Sequence, residues 1–340
     1  MSSHKSDRWS RREFLSTAAL AGTGALLGLQ SKVIAAEPPL ETTKIRLAYH
    51  SRSLCHAPLY VAEDSLSAEG FTGVEYVKTS AVEKSLASGE VDVVTHFCGP
   101  LIMQVDNGDP IVLLSGLHPG CVELVGTDQI RSVRDLKGKT IAVTDLGGGR
   151  HTFLAVMAAH VGVDPRNDIN VVAYPAAEAM RLLAEKKIDG FLAAPPDSQE
   201  LRAKKIGHVV VDSMMDKPWS QYFCCMMAVN QQFVRKHPAA TRRALRAILK
   251  ATDLCAHEPE RAARFLVDKG YAKQYDHALQ AMKEMGMGYS KWREYDPEDT
   301  VRFYALRLQE VGMIKSSPQK IIAQGTDWRF LRELKKELKT

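Results

Sequence analysis

Short apolar runs alternate with longer amphipathic segments along residues 45–237. The runs are rich in β-branched residues and are bounded by glycine, proline or asparagine, which is typical of buried strands. The intervening segments have helical length, and most end at a glycine or asparagine that suits a left-handed C-cap. Strands are predicted at 45–49, 74–77, 91–95, 111–114, 122–125, 140–144, 171–173, 191–194 and 209–211. Helices are predicted from Pro58 to Gly70 and at 81–88, 101–107, 152–159 and 176–184.

This strand–helix pattern restarts once, near Val122, and gives way to helices after Pro238. Two sheets in series, each mostly parallel and covered by helices on both faces, are the expected result. A body of about 300 residues also fits two domains at roughly 100–200 residues each. The helices expected in the C-terminal part are 240–256, 260–269, 276–285, 297–311 and 328–338. The predicted fold class is α/β, with two lobes and a helical C-terminal extension.

The N-terminal 36 residues have the features of an export signal. Ser10–Leu15 contain the pair Arg11-Arg12, and no charge follows before Lys32 through a stretch of Ala, Gly and Leu. This resembles a twin-arginine signal, with small residues for cleavage at Ala35 and Ala36. The alternative, a transmembrane helix, needs a longer apolar stretch than the dozen or so residues present. We therefore expect 1–36 to be removed and a soluble mature protein in the periplasm.

Charge argues against a nucleic-acid partner. The chain has 45 basic and 40 acidic residues, a net charge of +5, and five basic and two acidic residues lie in the first 36. The body therefore carries 40 − 38 = +2, without the concentrated basic surface that nucleic acids require. The motifs H-E-x-x-H, G-x-S-x-G and the phosphate-binding G-x-x-x-x-G-K-[ST] are also absent from the sequence.

Polar residues follow several predicted strands, where open α/β sheets bind ligands. The turn after the first strand is rich in donors and includes Arg52 and His56. Gly147-Gly148-Gly149 follows another strand and opens a helix beside Arg150 and His151, an arrangement that favours an anion. The same glycines also suit a plain tight turn, and Thr152 replaces the third glycine of a dinucleotide motif. The candidates from these strand ends are Ser51, Arg52, Ser53, His56, Cys98, Gly148, Gly149, Arg150, His151 and Asp197.

The segment 219–229 has the most unusual composition, because Cys224, Cys225, Met226 and Met227 stand in a row. In a strand these side chains alternate between faces, which favours a buried apolar strand over a site for Cu(I), iron or zinc. Tyr222 and Trp219 could stack on a planar ligand or belong to the core. Tyr222 and Cys224 are added to the ligand-binding candidates, and no metal site or cofactor is predicted. The six cysteines form no C-x-x-C motif, so pairing and burial as thiols both remain open.

Four segments resemble the ABC-transporter solute-binding proteins for sulfonates, taurine and nitrate, together with the related group for thiamine pyrimidine precursors. They are 89–93 (GEVDV), 135–143 (DLKGKTIAV), 187–190 (KIDG) and 229–238 (VNQQFVRKHP). The resemblance covers roughly residues 44–258. Residues 223–227 also resemble the cysteine-rich segment of pyrimidine-precursor synthases, which use a Cys/His cluster with iron, although two methionines replace cysteines here.

The resemblance implies a periplasmic-binding-protein (type II) clamp whose lobes close on a ligand. Lobe 1 would comprise 44–121 and 226–340, lobe 2 would comprise 122–225, and the chain would cross near 117–122 and 220–225. The implied function is capture of a small anionic or planar heterocyclic organic solute by a monomer, without catalysis, for an inner-membrane ABC permease and its ATPase. The alternatives are a metal- or Cys-dependent enzyme like the precursor synthases, and a sensor that presents its ligand-bound surface to a membrane partner.

Overall fold

Ten strands form in the part of the chain that the structure describes, residues 37–49 and 53–338 of a computed structural model. In chain order they are β1 (Lys44–Tyr49), β2 (Gly73–Lys78), β3 (Val93–Phe97), β4 (Ile111–Pro119), β5 (Glu123–Gly126), β6 (Thr140–Val143), β7 (Asn170–Ala173), β8 (Gly190–Ala193), β9 (His208–Asp212) and β10 (Phe223–Asn230). Each coincides with one of the apolar runs in the sequence.

The same residues contain fourteen α-helices, five of which have proline in the first turn, where its fixed φ is favourable. In chain order they are α1 (Ala57–Tyr60), α2 (Glu63–Ala68), α3 (Val82–Ser88), α4 (Cys98–Asn107), α5 (Gly149–His160), α6 (Ala176–Ala184), α7 (Asp197–Ala203), α8 (Gln231–Lys236), α9 (Pro238–His257), α10 (Pro259–Asp268), α11 (Tyr275–Tyr289), α12 (Pro297–Glu310), α13 (Pro318–Gly325) and α14 (Arg329–Glu337). Short 3₁₀ turns lie at Leu54–His56, Val133–Leu136, Trp219–Gln221 and Ser290–Arg293.

The first sheet has the order β2-β1-β3-β10-β4. Strand β1 pairs in parallel with β2 and β3, whereas β10 runs antiparallel between β3 and β4. Four strands therefore share one direction, and β10 opposes them. Every residue of β3, β4 and β10 is buried, because helices cover both faces of the sheet.

The second sheet has the order β7-β6-β8-β5-β9 and repeats this plan. Strand β6 pairs in parallel with β7 and β8, and β5 is antiparallel to both β8 and β9. In each sheet, one strand runs antiparallel to its neighbours: β10 in the first sheet and β5 in the second. This strand is the first that the chain forms after it arrives from the other sheet. The two mostly parallel sheets and the helical C-terminal region confirm the predicted fold class.

The chain passes between the sheets twice, from Pro119 to Glu123 and from Asp212 to Phe223. The sequence places these passages near 117–122 and 220–225. Strand β10 begins at Phe223 and, among the described residues, pairs with β3 and β4 of the first sheet. The whole run is apolar enough to fill the centre of that sheet.

The single helix expected from Pro58 to Gly70 is instead two helices, α1 and α2. The hydroxyl of Tyr76 donates to the carbonyl oxygens of Leu59 (3.0 Å) and Tyr60 (3.2 Å). Those carbonyls would otherwise accept from the next helical turn, so the helix breaks there. Tertiary contact with β2 thus overrides a local pattern that favours one helix.

The expected signal peptide, 1–36, lies outside the described residues. The chain divides into two units at Pro39, and the lobes described above all belong to the unit that starts at Leu40. Among the described helices, none combines the length and the apolar character needed to cross a bilayer.

Candidate functional site

A cavity of about 980 Å³ lies where the carboxyl ends of the parallel strands of both sheets meet. Its lining comes from residues at or after the carboxyl ends of β1, β2 and β3 in the first sheet and of β6, β7 and β8 in the second. This is the position at which open α/β sheets bind ligands. We call this cavity the cleft.

The first-sheet wall of the cleft carries two histidines, one shortly after β1 and one near the end of β3. His56 Nδ1 lies 3.1 Å from Thr95 Oγ1, and His96 Nε2 lies 2.7 Å from Glu83 Oε1. The two imidazole rings are 6.1 Å apart, centroid to centroid, and both lie beside the ring of Phe97. The wall therefore presents flat rings and a carboxylate together.

The second-sheet wall carries an ion pair between helices α5 and α7. Arg150 Nη2 donates to Asp197 Oδ2 at 2.9 Å, and both side chains are more than four-fifths buried. The guanidinium also lies over the ring of Phe191, 5.6 Å from its centroid. Burial raises the pKa of Asp197 above its usual value, and the charge of Arg150 opposes that rise.

Two buried donors at the cleft have no partner among the described residues. They are Ser53 Oγ, on the first-sheet wall, and Arg150 Nη1, on the second. A buried donor without a partner costs about 1–3 kcal/mol. A ligand acceptor that meets both groups would remove this cost and would join the two lobes.

The lobes contact each other beside the cleft through close approaches that only glycine allows. A Cβ atom on Gly149 would lie 2.2 Å from the ring of Phe97, and one on Gly99 would lie 2.4 Å from Thr152 Oγ1. Leu54 N also donates to Pro195 O at 3.4 Å. The third glycine of the 147–149 turn therefore serves close packing of α5 against the first lobe.

One backbone donor of the glycine turn is already engaged within the turn. Gly147 N donates to His151 Nδ1 at 2.8 Å, and the carboxylate of Asp145 occupies the space beside Gly148. Burial lowers the pKa of His151, consistent with a neutral ring that accepts at Nδ1.

The charges that line the cleft also disfavour a simple inorganic anion. The acidic lining residues are Glu83, Asp145, Asp197 and Glu200, and the basic ones are Lys78 and Arg150. With neutral histidines, the lining has a net charge of 2 − 4 = −2. A ligand there must therefore offer donors as well as an acceptor.

Four buried thiols form a second cluster at the lobe junction, which we call the thiol cluster. It consists of Cys55, Cys121, Cys224 and Cys225. The sulfurs of Cys121 and Cys224 are 3.1 Å apart. Burial raises the pKa of Cys121 to about 11; burial also opposes ionisation of Cys224, but hydrogen bonds from Cys121 and Cys225 lower its pKa to about 7.

His118 lies against this cluster, and its nitrogen lies with the sulfurs of Cys121 and Cys225 within 4.8 Å of one another. Such a group can hold a soft metal ion. However, His118 Nδ1 lies 3.2 and 3.0 Å from the carbonyl oxygens of Pro119 and Gly120, and Nε2 lies 3.0 Å from that of Cys55. In a neutral imidazole only one ring nitrogen carries a proton, so only one of the two can donate to these carbonyl oxygens and the other keeps its lone pair. A metal ion could therefore bind His118 only if that nitrogen moved away from its carbonyl neighbour.

The structure brings five of the twelve candidate ligand-binding residues to the cleft lining: Ser53, His56, Gly149, Arg150 and Asp197. Ser51 and Arg52 lie outside the described residues. Five others do not line the cleft: Cys98, Gly148, His151, Tyr222 and Cys224. Cys98 is fully buried, and Tyr222 stacks on Phe303 with 4.0 Å between ring centroids, so the core accounts for both.

Several lining residues were missed by sequence reasoning. Thr79 and Ser80 follow β2, His96 lies near the end of β3, and Tyr174 follows β7. All four stand at carboxyl ends of strands that the apolar pattern located. Applying the strand-end rule to every parallel strand, instead of only to the donor-rich turns, would have found them.

Residues 38–267, more than half of the chain, match the model of the NMT1-like family. The chain belongs to the NMT1-like family. It is 22% identical over 314 residues to the nitrate/nitrite binding protein NrtA of a Nostoc species, a match that spans 77% of this chain and 70% of that protein. It is 25% identical over 238 residues to 4-amino-5-hydroxymethyl-2-methylpyrimidine phosphate synthase THI11 of Saccharomyces cerevisiae, spanning 63% and 67% respectively.

Among solved structures, this member of the NMT1-like family is similar to the periplasmic nitrate-binding protein NrtA from Synechocystis PCC 6803. The TM-score is 0.73 at 16% identity, and the match covers 89% of this chain and 90% of the other. At that identity the likeness establishes the fold.

Proposed function

We propose that this protein is the solute-binding component of an ABC importer, acting as a periplasmic monomer. It captures a small organic solute that carries both hydrogen-bond acceptors and donors, such as an aminosulfonate zwitterion or an aminopyrimidine. The loaded protein then delivers the solute to an inner-membrane permease and its ATPase. The similarity to a nitrate/nitrite binding protein supports the class of function, and the cleft supports the narrower class of ligand.

The observation that carries the proposal is the pair of unpartnered donors, Ser53 Oγ and Arg150 Nη1, on opposite walls of the cleft. Acceptors on the solute would bond to these donors. Because one donor belongs to each lobe, the solute stabilises the closed arrangement relative to an open one. Bond making is not required, since the work of the site is recognition.

The carboxylates and rings of the cleft would determine which solutes bind. Glu83, Asp145 and Glu200 accept hydrogen bonds, so they favour amino or ring N–H groups on the solute and disfavour a bare anion. Phe97 and Tyr174 provide flat apolar surface for a planar ring. His96, held by Glu83 at 2.7 Å, presents a fixed edge to the same space.

Thermal unfolding with added solutes tests this function. Taurine or an aminopyrimidine at saturating concentration is expected to raise Tm by several degrees, because 100-fold excess over Kd contributes about 2.7 kcal/mol. Nitrate and bicarbonate at the same ionic strength are the matched controls and should leave Tm unchanged. Stabilisation by the inorganic anions alone would contradict the proposed class of ligand, and no stabilisation by any solute would argue against a binding protein.

A second candidate is an enzyme like the pyrimidine-precursor synthases, favoured by the identity to THI11 and by the thiol cluster. Both nitrogens of His118 lie within 3.2 Å of backbone carbonyl oxygens, so a metal ligated by His118 would have to displace one of these contacts, which weighs against this candidate. Metal analysis of the purified protein and of a Cys224→Ser/Cys225→Ser variant separates the two. Stoichiometric iron that is lost in the variant would favour the enzyme.

A further inference from the structure

The thiol cluster contains one pair of sulfurs that is placed for bond formation. Cys121 lies in the first passage between the sheets, and Cys224 lies at the start of β10, directly after the second passage. Their sulfurs are 3.1 Å apart, so they must approach by about 1 Å to reach the length of a disulfide, about 2.05 Å. A small side-chain rotation at one cysteine supplies a movement of this size.

The geometry of β10 disfavours the pairing of Cys224 with its neighbour Cys225. Adjacent side chains of a regular strand point to opposite faces, and Cys225 belongs to the paired part of β10. Cys225 is registered with Phe97 in β3 and with His118 in β4, which holds it on the ladder. The register shift between Phe223 and Cys225 leaves Cys224 off the ladder and next to Cys121.

An oxidant can reach this pair from one side. Cys121 lines a separate cavity of about 440 Å³ together with Met214, Met215, Met285 and Met287. Met215 and Met287 are each 62% exposed, so the cavity opens to solvent. Cys224 is more deeply buried than Cys121, which makes Cys121 the sulfur that an external reagent meets first.

We propose that Cys121 and Cys224 form a disulfide bond that fastens the first passage to the beginning of β10. The oxidant is a disulfide, either of a small thiol such as glutathione or of a protein. Cys121, the more accessible of the two sulfurs, loses its proton as it attacks one sulfur of the oxidant and releases one thiol, leaving a mixed disulfide on Cys121. The sulfur of Cys224 then attacks Cys121 and releases the second thiol. The two protein thiols lose two protons and two electrons, and the oxidant is reduced to two thiols.

The bond restricts the backbone between Pro119 and Glu123, where movement of one lobe against the other must be absorbed. Rotation at Gly120, which has φ +50°, would be the first to be limited. The consequence for ligand affinity rests on the proposed function, but formation of the bond does not. The bond can therefore be tested without any ligand.

The test is thiol counting by mass spectrometry on the full-length protein. The protein is incubated with oxidised glutathione or with dithiothreitol, then denatured, alkylated and digested. All six cysteines should be alkylated after reduction and four after oxidation. A linked peptide pair that contains Cys121 and Cys224 should appear only in the oxidised sample, and oxidation should raise Tm by about 5–10 °C.

Matched variants localise the effect. Cys121→Ser and Cys224→Ala should each abolish the linked peptides and the rise in Tm, whereas Cys255→Ser, in helix α9, should retain both. If a variant fails to fold, the linked peptides of the wild-type protein still decide the matter. Six alkylated cysteines after oxidation would overturn the proposal, as would a stable glutathione adduct on Cys121 or pairing of Cys121 with Cys55 or Cys225.

Discussion

The cleft and the thiol cluster both lie at the junction of the lobes, but they hold buried polar atoms in opposite ways. The cleft pairs charged groups, such as Arg150 with Asp197 at 2.9 Å, and leaves Arg150 Nη1 unpartnered. The thiol cluster is built from sulfur, which forms weak hydrogen bonds and tolerates burial. The comparison teaches that a buried guanidinium or hydroxyl donor without a hydrogen-bond partner indicates a ligand site, whereas a buried sulfur atom does not.

The largest expected effect is at Arg150. Arg150→Ala removes the unpartnered donor and leaves the carboxylate of Asp197 buried alone. We expect solute affinity to fall at least about 100-fold and the free energy of unfolding to fall by about 3 kcal/mol. Calorimetric titration measures the first, and urea unfolding the second.

The double variant Arg150→Ala/Asp197→Asn is the control for this prediction. It removes the stranded charge, so most of the lost stability should return while binding stays weak. Recovery of binding in the double variant would show that Arg150 acts only through its ion pair, and the contrast drawn between the two regions would then be wrong.

Close packing at the cleft gives the next largest effect. Gly149→Ala places a Cβ 2.2 Å from the ring of Phe97, so the closed arrangement should lose about 1–3 kcal/mol. Affinity should drop about tenfold or more. Gly286→Ala, in helix α11, is the matched control, because its Cβ meets only Ala256 O at 3.4 Å. That variant should bind normally, with stability unchanged or raised by up to about 1 kcal/mol.

The pH dependence of the cleft should reflect Asp197. Burial raises the folded-state pKa of Asp197. Above that pKa the side chain is ionised, and burying the charge destabilises the fold. As pH falls through the raised pKa towards the usual value near 4, the carboxylate binds a proton and this destabilisation is removed. Wild type should therefore gain stability relative to Asp197→Asn between pH 7 and pH 4.5. Urea unfolding of both proteins at the two pH values measures this. If the difference in unfolding free energy between the two proteins is the same at both pH values, Arg150 already offsets the cost of burying the Asp197 carboxylate.

The smallest effect is expected beside the thiol cluster. The hydroxyl of Tyr289 reaches only long contacts, 3.4 Å to Leu54 O and 3.8 Å to Met285 Sδ. Tyr289→Phe should therefore cost less than about 1 kcal/mol of unfolding free energy. Tyr76→Phe, which loses bonds of 3.0 and 3.2 Å, should cost more. The reverse ranking would mean that polar contacts around the sulfurs matter more than their geometry indicates.

The fold was largely predictable, because strand periodicity and glycine C-caps are local signals. Gly89 and Gly108 adopt φ values of +75° and +82° directly after α3 and α4, where the sequence places helix ends. The break between α1 and α2 was not predictable, since it depends on the hydroxyl of Tyr76 from another strand. The sheet to which β10 belongs was not predictable for a similar reason: sheet membership depends on pairing partners, and the sequence shows only the apolar run.

The site was only partly predictable. Strand ends identified Ser53, Arg150 and Asp197 as residues of one cleft, because parallel strands bring their carboxyl ends to one edge. The contacts of His151 and Asp145 within the glycine turn were not predictable either, because they depend on how the turn folds back on itself. Which buried donors remain unmet depends on three-dimensional neighbours, so Arg150 Nη1 as a ligand contact is visible only in the structure.

The strand orders have a consequence for synthesis of the protein. All strands of the second sheet lie between residues 123 and 212, so that sheet is complete once this stretch has left the ribosome. The first sheet must wait, because β10 inserts between β3 and β4 and is not made until residues 223–230. A nascent chain that pauses before residue 223 therefore has a complete second sheet and a first sheet in which the facing edges of β3 and β4 are unpaired. Chaperone protection matters most for those edges.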